Sequence, residues 1–165
     1  MFGVANGVIP VISYNYGAGK GARIKGISAL AVKTNLIIGI FLAVSLWCFG
    51  RQIIGAFFSA SETHVIDLAV GGAHIVAFAF LFNGFNLFSA SFFTAVDDAF
   101  LSLVVGALRG LILLVICIFT LPHIWGLTGI WLATPVAEIG TMLIVLLLFR
   151  RWHRTHAGKI LQGTL

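Results

Sequence analysis

The stretch LTGIWLATPVAEIGTMLIVLLLF, residues 127–149, decides the fold class of this chain. It holds 23 residues, and Glu138 is its only charged residue. A helix needs about 20 consecutive, mostly apolar residues to cross the hydrocarbon of a bilayer. The stretch is therefore long enough and apolar enough to form a membrane-spanning helix.

Three further apolar stretches precede it, over residues 34–50, 68–96 and 99–121. The first extends back to residue 27 if the long side chain of Lys33 reaches the interface. Ser59 and Glu62 have capping-box spacing before the second. Pro122 is predicted to end the third helix. Residues 1–16 are predicted to form a partial helix, because they are too short to span comfortably.

Composition supports a membrane protein. Hydrophobic residues make up 60% of the 165 residues and charged residues 9%, against about 25% charged in soluble domains. The net charge of +5 does not indicate nucleic acid, because the Lys and Arg residues lie between apolar runs and not on one basic face. We predict an all-α, polytopic transmembrane bundle with about four full spans and a partial first helix. It forms one domain, 1–165, with a basic cytoplasmic tail over 150–165.

The distribution of the ten Lys and Arg residues predicts the orientation. Cytoplasmic segments of membrane proteins are enriched in Lys and Arg. With the carboxyl terminus inside, the cytoplasmic set is Lys20, Arg23, Lys25, Lys33, Arg150, Arg151, Arg154 and Lys159. Arg51 alone is then outside, and Arg109 lies within a helix. We expect a multi-pass protein of the cell inner (plasma) membrane. Met1 would then start outside, and we expect preceding spans to be missing.

Glu138 is the leading residue for chemistry, since an ionisable side chain in hydrocarbon costs at least a few kcal/mol. Pro135 leaves the carbonyl of Trp131 without its helical donor, so the backbone can bend there; Pro10 is the second predicted bend. Glu138 either faces a cavity and binds a coupling cation, a proton or a cationic substrate, or it bonds within the bundle, for example to Arg109.

Other polar residues have both structural and functional interpretations. Asn83 and Asn86 are spaced to share a helix face, where they either join helices or line a wet pathway. Asp97 and Asp98 are predicted to cap the following helix. Cys48 and Cys117 are interpreted as small buried apolar residues.

Motifs of soluble enzymes are absent from the sequence. It contains no HExxH, GxSxG, CxxC or Walker A pattern. We therefore expect no catalysis, no cofactor and no metal. Any transport would have to use an ion gradient or another protein.

Four motifs, in order along the chain, resemble the MATE (multidrug and toxic compound extrusion) family. They are NGVIPVISYNYGAG at 6–19 with basic residues after it, FFSASETHVI at 57–66, LRG at 108–110 and LPHIWGLTGIWLATPVAE at 121–138. The resemblance covers essentially the whole chain. It departs from the family at Asn6, where Gln is common.

The resemblance implies two six-helix bundles that exchange drugs or organic cations for sodium or protons by alternating access. This chain would supply the end of helix eight through helix twelve. Its partners would be the bilayer, the drug and the missing amino-terminal bundle, which holds the cation-site acids that the family places in its amino-terminal half. Glu138 and Arg109 carry over as positions, without assigned roles. A Phe-rich helix at 78–93 would stack on substrate.

Two alternatives stay open. A lipid-linked oligosaccharide flippase of the same superfamily would be expected to line its cavity with several basic residues, whereas only Arg109 is intramembrane. A non-transporting membrane subunit, or an inert truncated product, is the other alternative.

Overall fold

The computed structural model describes residues 1–58 and 62–162, with side chains to residue 155. All regular structure in these ranges is helical, which confirms the all-α prediction. The helices are α1 (Phe2–Gly17), α2 (Gly21–Gly55), α3 (Thr63–Ala77), α4 (Ala79–Ala95), α5 (Ala99–Ala107), a π-helical turn (Leu108–Ile112), α6 (Leu113–Trp125) and α7 (Leu127–Gln162).

The prediction of about four spans agrees with the three to four candidate spans among the described residues. Three segments are each long and apolar enough to cross a membrane: α2, the continuous run Ala99–Trp125, and Leu127–Thr155 of α7. The pair α3 and α4 makes a fourth if it counts as one span. Their outer surfaces carry large exposed apolar side chains such as Phe41, Leu103 and Phe119, which lipid can cover.

The predicted second span, 68–96, is not one straight helix. It is broken at Phe78, and α3 and α4 are bent by 46° relative to one another. At the break the Phe78 N–H donates to the Ile75 carbonyl at 3.3 Å and the Leu81 N–H to the Phe78 carbonyl at 3.2 Å. These are the tighter bonds of a 3₁₀ turn, which interrupt the α-helical ladder. The prediction of an unbroken helix was wrong.

Three predicted boundaries also differ. α2 begins at Gly21, well before residue 27, and α7 continues past Phe149 to Gln162. The basic residues 150–154 therefore lie on a helix. α6 passes through Pro122 and ends at Trp125, because a proline in the last turn removes only one hydrogen bond. Gly126, at φ 56°, ends the helix by donating its N–H to the Pro122 carbonyl.

Two smaller predictions have different outcomes. The Asp98 carboxylate accepts the Leu101 N–H at 3.1 Å, so this predicted cap is confirmed. Cys117 is buried but Cys48 is exposed on α2, so the prediction of burial for Cys48 was wrong. Ser59 of the proposed capping box lies outside the described residues.

Helix α4 lies at the centre of the bundle and packs against α1, α2, α5 and α7. Its aromatic residues Phe88, Phe92 and Phe93 are buried with Trp152 of α7, and the partly buried Phe149 packs against them. The Phe93 and Phe149 rings stack with centroids 4.8 Å apart. This cluster joins α4 to α7 and fixes the part of α4 that contains Asn86.

Candidate functional site

Glu138 lies on the inner face of α7. Pro135 and Ala137 beside it are buried, and Ala133 and Ala137 pack against Cys117 of α6. The Glu138 side chain keeps only 8% of its surface exposed. Small residues on this face let α6 and α4 approach, which brings Glu138 to a junction of three helices.

Arg109 is the first partner of Glu138. Its Nε donates to Glu138 Oε1 at 3.0 Å, and its side chain is 23% exposed. Arg109 lies in the π-helical turn, whose wider hydrogen-bonding pattern changes the direction of side chains relative to an α-helix. Its guanidinium also lies 5.9 Å from the centroid of the Phe2 ring of α1. The pairing is the structural alternative considered for Glu138 from the sequence.

Asn86 of α4 is the second partner. Its side chain is fully buried, and Nδ2 donates to Glu138 Oε2 at 2.7 Å and to the Glu138 main-chain carbonyl at 2.9 Å. Its Oδ1 is buried without a partner among the described residues. The site therefore contains one acceptor that is free to receive a proton donor or a cation.

Asn83 lies one turn before Asn86 and is half-buried. No hydrogen bond joins it to Glu138. Of the two asparagines, Asn86 therefore contacts the carboxylate and Asn83 does not. The pathway role of both residues stays a prediction. Pro135 and Pro10 lie inside α7 and α1, each of which continues through its proline as one helix; the bends at these positions also stay predictions.

Asn35 is a buried polar residue that the sequence analysis missed. It is fully buried in α2, and its Nδ2 donates to the Gly84 carbonyl of α4 at 3.1 Å. Its Oδ1 has no partner among the described residues. A polar residue next to the apolar run at residues 36–44 was the signal that could have revealed it.

The Phe residues expected to stack on substrate contact protein for the most part. Phe88, Phe92 and Phe93 belong to the aromatic core, whereas Phe78 is half exposed. Among the described residues, no group of three His, Cys, Asp or Glu side chains could hold a metal ion.

The arrangement can exchange partners at one carboxylate. As long as Glu138 is ionised, Arg109 balances its charge, which reduces the penalty of burying either ion in a low-dielectric interior. A proton or another cation at Glu138 would weaken that pairing. The polar contacts of Glu138 with Asn86 of α4 and with Arg109 of the π-helical turn therefore depend on the charge state of a single side chain.

Comparison with known proteins agrees with this architecture. The MatE family model matches residues 1–120. The multidrug export protein MepA of Staphylococcus saprophyticus is 27% identical over 152 residues, and MepA of Staphylococcus aureus strain MSSA476 is 25% identical over the same length. These matches cover 90% of this chain, which spans 33% of each relative. No solved structure matches significantly. The chain is a multi-pass membrane protein that belongs to the MatE (MATE) family.

Proposed function

We propose that the chain forms part of a cation-coupled antiporter that exports drugs or organic cations by alternating access. The coupling ion is sodium or a proton. Membership of the MatE family and similarity to proteins named multidrug export proteins support this proposal. The observation that carries it is Glu138, which is the only buried one of the five acidic residues.

Glu138 would couple ion binding to helix movement through its change of partner. In one state the carboxylate pairs with Arg109 and accepts from Asn86, as the structure describes. In the other state a proton or sodium ion takes the place of Arg109 and loosens the contact between α7 and the π-helical turn. A ligand moves such an equilibrium only if it prefers one state, and a cation at Glu138 meets that condition.

The proposed orientation places the carboxyl terminus in the cytoplasm of a cell whose inner (plasma) membrane holds the transporter. Its support is the concentration of Lys and Arg where α2 begins and where α7 leaves the apolar region. The remaining part of the transporter, the surrounding lipid and the organic cation would be the partners.

The flippase alternative gains no support from the site. Within the four apolar stretches 34–50, 68–96, 99–121 and 127–149, Arg109 is the only Lys or Arg. It is paired with Glu138. It is therefore already neutralised, whereas a pyrophosphate would need several free cations.

The test uses the full-length transporter in proteoliposomes with an imposed sodium or proton gradient. We expect Glu138→Gln to reduce gradient-driven ethidium transport severalfold and to remove its dependence on the gradient. Glu62→Gln, which changes an exposed acid, serves as the control and should behave like the wild type. Unchanged transport and coupling in Glu138→Gln would refute the role of Glu138. Absence of ethidium transport in the wild type would favour the non-transporting alternative.

A further inference from the structure

A cavity of about 330 Å³ lies at the opposite end of α7 from Pro135. The cavity is lined by the aromatic side chains of Phe88 and Phe92 from α4 and of Phe149 and Trp152 from α7. Cavities of this size are typical of small-molecule sites. Phe149 follows Glu138 by eleven residues, or about 16 Å along the helix, so the cavity is separate from the carboxylate site.

Two residues of the cavity lining are basic. Lys25 of α2 and His153 of α7 both line it and are both exposed. Ser28 lines it as well, although its Oγ is buried away from the cavity surface.

This end of the bundle has an excess of positive charge. Six Lys and Arg residues lie in the two segments 20–25 and 150–154, and the two neighbouring acids are Asp97 and Asp98. Both segments adjoin the ends of the apolar runs, which is the level of the lipid headgroups. Basic pockets between helices at that level suit the head groups of anionic lipids.

We propose that this cavity binds one acyl chain of an anionic phospholipid, with the lipid phosphate held by Lys25 and His153. The four aromatic rings supply an apolar surface for the chain. A small soluble anion would use the basic residues but leave the aromatic surface unfilled. The proposal does not depend on transport activity.

The test is a lipid titration of the purified, delipidated full-length protein followed by native mass spectrometry. The probes are dioleoyl phosphatidylglycerol and dioleoyl phosphatidylcholine, which share their chains and differ in charge. We expect tighter binding of the anionic lipid. Lys25→Gln should weaken its binding about fivefold, as expected for one cation near a headgroup, and leave phosphatidylcholine binding unchanged. Lys33→Gln is the matched control, since Lys33 is exposed on the same helix but does not line the cavity.

Several results would overturn the proposal. Equal binding of the two lipids would remove the role of charge. An equal loss in Lys25→Gln and Lys33→Gln would indicate general attraction of lipid to a basic surface. Displacement of phosphatidylglycerol by glycerol 3-phosphate at the same concentration would indicate an anion site without a chain site. Because Lys25 and Lys33 are exposed, neither variant is expected to disturb folding.

Discussion

At Glu138 each carboxylate oxygen has a donor of its own, Arg109 for one and Asn86 for the other. A buried ion pair contributes little net stability compared with apolar packing, but the loss of one member leaves an uncompensated charge. The loss of Arg109 and the loss of Asn86 are therefore expected to have different effects on the site. Arg109 controls the charge balance of the site, and Asn86 controls its geometry.

Removal of Arg109 alone is expected to be harmful. Arg109→Met should lower the free energy of unfolding by about 3 kcal/mol, because Glu138 would lose its counter-charge. The double variant Arg109→Met with Glu138→Gln should recover most of that loss. Unfolding of the purified full-length protein, titrated with SDS in mixed micelles, measures both. A double variant as unstable as the single one would show that the charge pair is not the cause.

The two asparagines of α4 provide a matched comparison. Asn86→Ala should destabilise the protein by about 2 kcal/mol, since it removes a hydrogen bond to a charged group and leaves Glu138 Oε2 without its donor. Asn83→Ala, at a half-buried position that has no bond to Glu138, should have a clearly smaller effect. The same SDS titration compares them. Equal losses would mean that the contact of Asn86 with Glu138 has no special weight.

At the residue level, the sequence predicted the pair of Glu138 and Arg109 but not the contacts that the asparagines make with Glu138 and the neighbouring helices. Charge in an apolar run was enough to identify Glu138 and Arg109 and to suggest that they meet. The role of Asn86 depends on which side of α4 faces α7, and helical spacing alone groups Asn86 with Asn83. The position of Asn35 beside an apolar run marks it as a polar residue in a span, but the sequence does not show that it contacts Gly84 of α4.

At the scale of elements, the two unpredicted features are the break at Phe78 and the π-helical turn at 108–112. Kinks usually coincide with Pro, with Gly or Ser pairs, or with a π-bulge. The nearest glycine pair, Gly71 and Gly72, lies two turns before Phe78, so the sequence places no signal at the break. α4 packs against α1, α2, α5 and α7, and contacts of this kind between helices are not visible in a local sequence pattern.

Gly72 shows how closely α3 approaches α7. A Cβ at this position would collide with the fused ring atoms of Trp131, so Gly72→Ala should destabilise the protein by about 2 kcal/mol. Gly71→Ala is the control, because its Cβ would meet nothing within 4 Å; it should be neutral or stabilising by up to about 1 kcal/mol. Thermal unfolding in one fixed detergent compares the pair. If both variants behave alike, α3 and α7 do not pack as described.

The turn before α5 offers a second paired test. Asp98→Ala should reduce stability by about 1 kcal/mol, because it removes the cap on the Leu101 N–H. Asp97 has a φ of 60°, which suits glycine better than other residues. Asp97→Gly should therefore be neutral or slightly stabilising in the same thermal measurement. A loss at Asp97→Gly as large as that at Asp98→Ala would contradict this assignment of roles.

For the whole molecule, the number and order of the spans followed from hydropathy, since a bilayer requires long apolar runs and closed helical hydrogen bonding. Helix lengths were less predictable. α2 and α7 extend beyond their apolar runs to Gly21 and Gln162, because a membrane-spanning helix can continue into water through charged residues. Hydropathy marks the membrane boundary and not the end of the helix.

The central claim is that these helices cross the bilayer with their basic ends in the cytoplasm. The most direct measurement labels single cysteines with a membrane-impermeant maleimide on intact cells, in a background with Cys48→Ser and Cys117→Ser. Gly26→Cys and Thr155→Cys should react only after the cells are permeabilised, whereas Gln52→Cys should react from outside. Reaction of Gly26→Cys or Thr155→Cys on intact cells would contradict the threading and the antiporter proposal built on it.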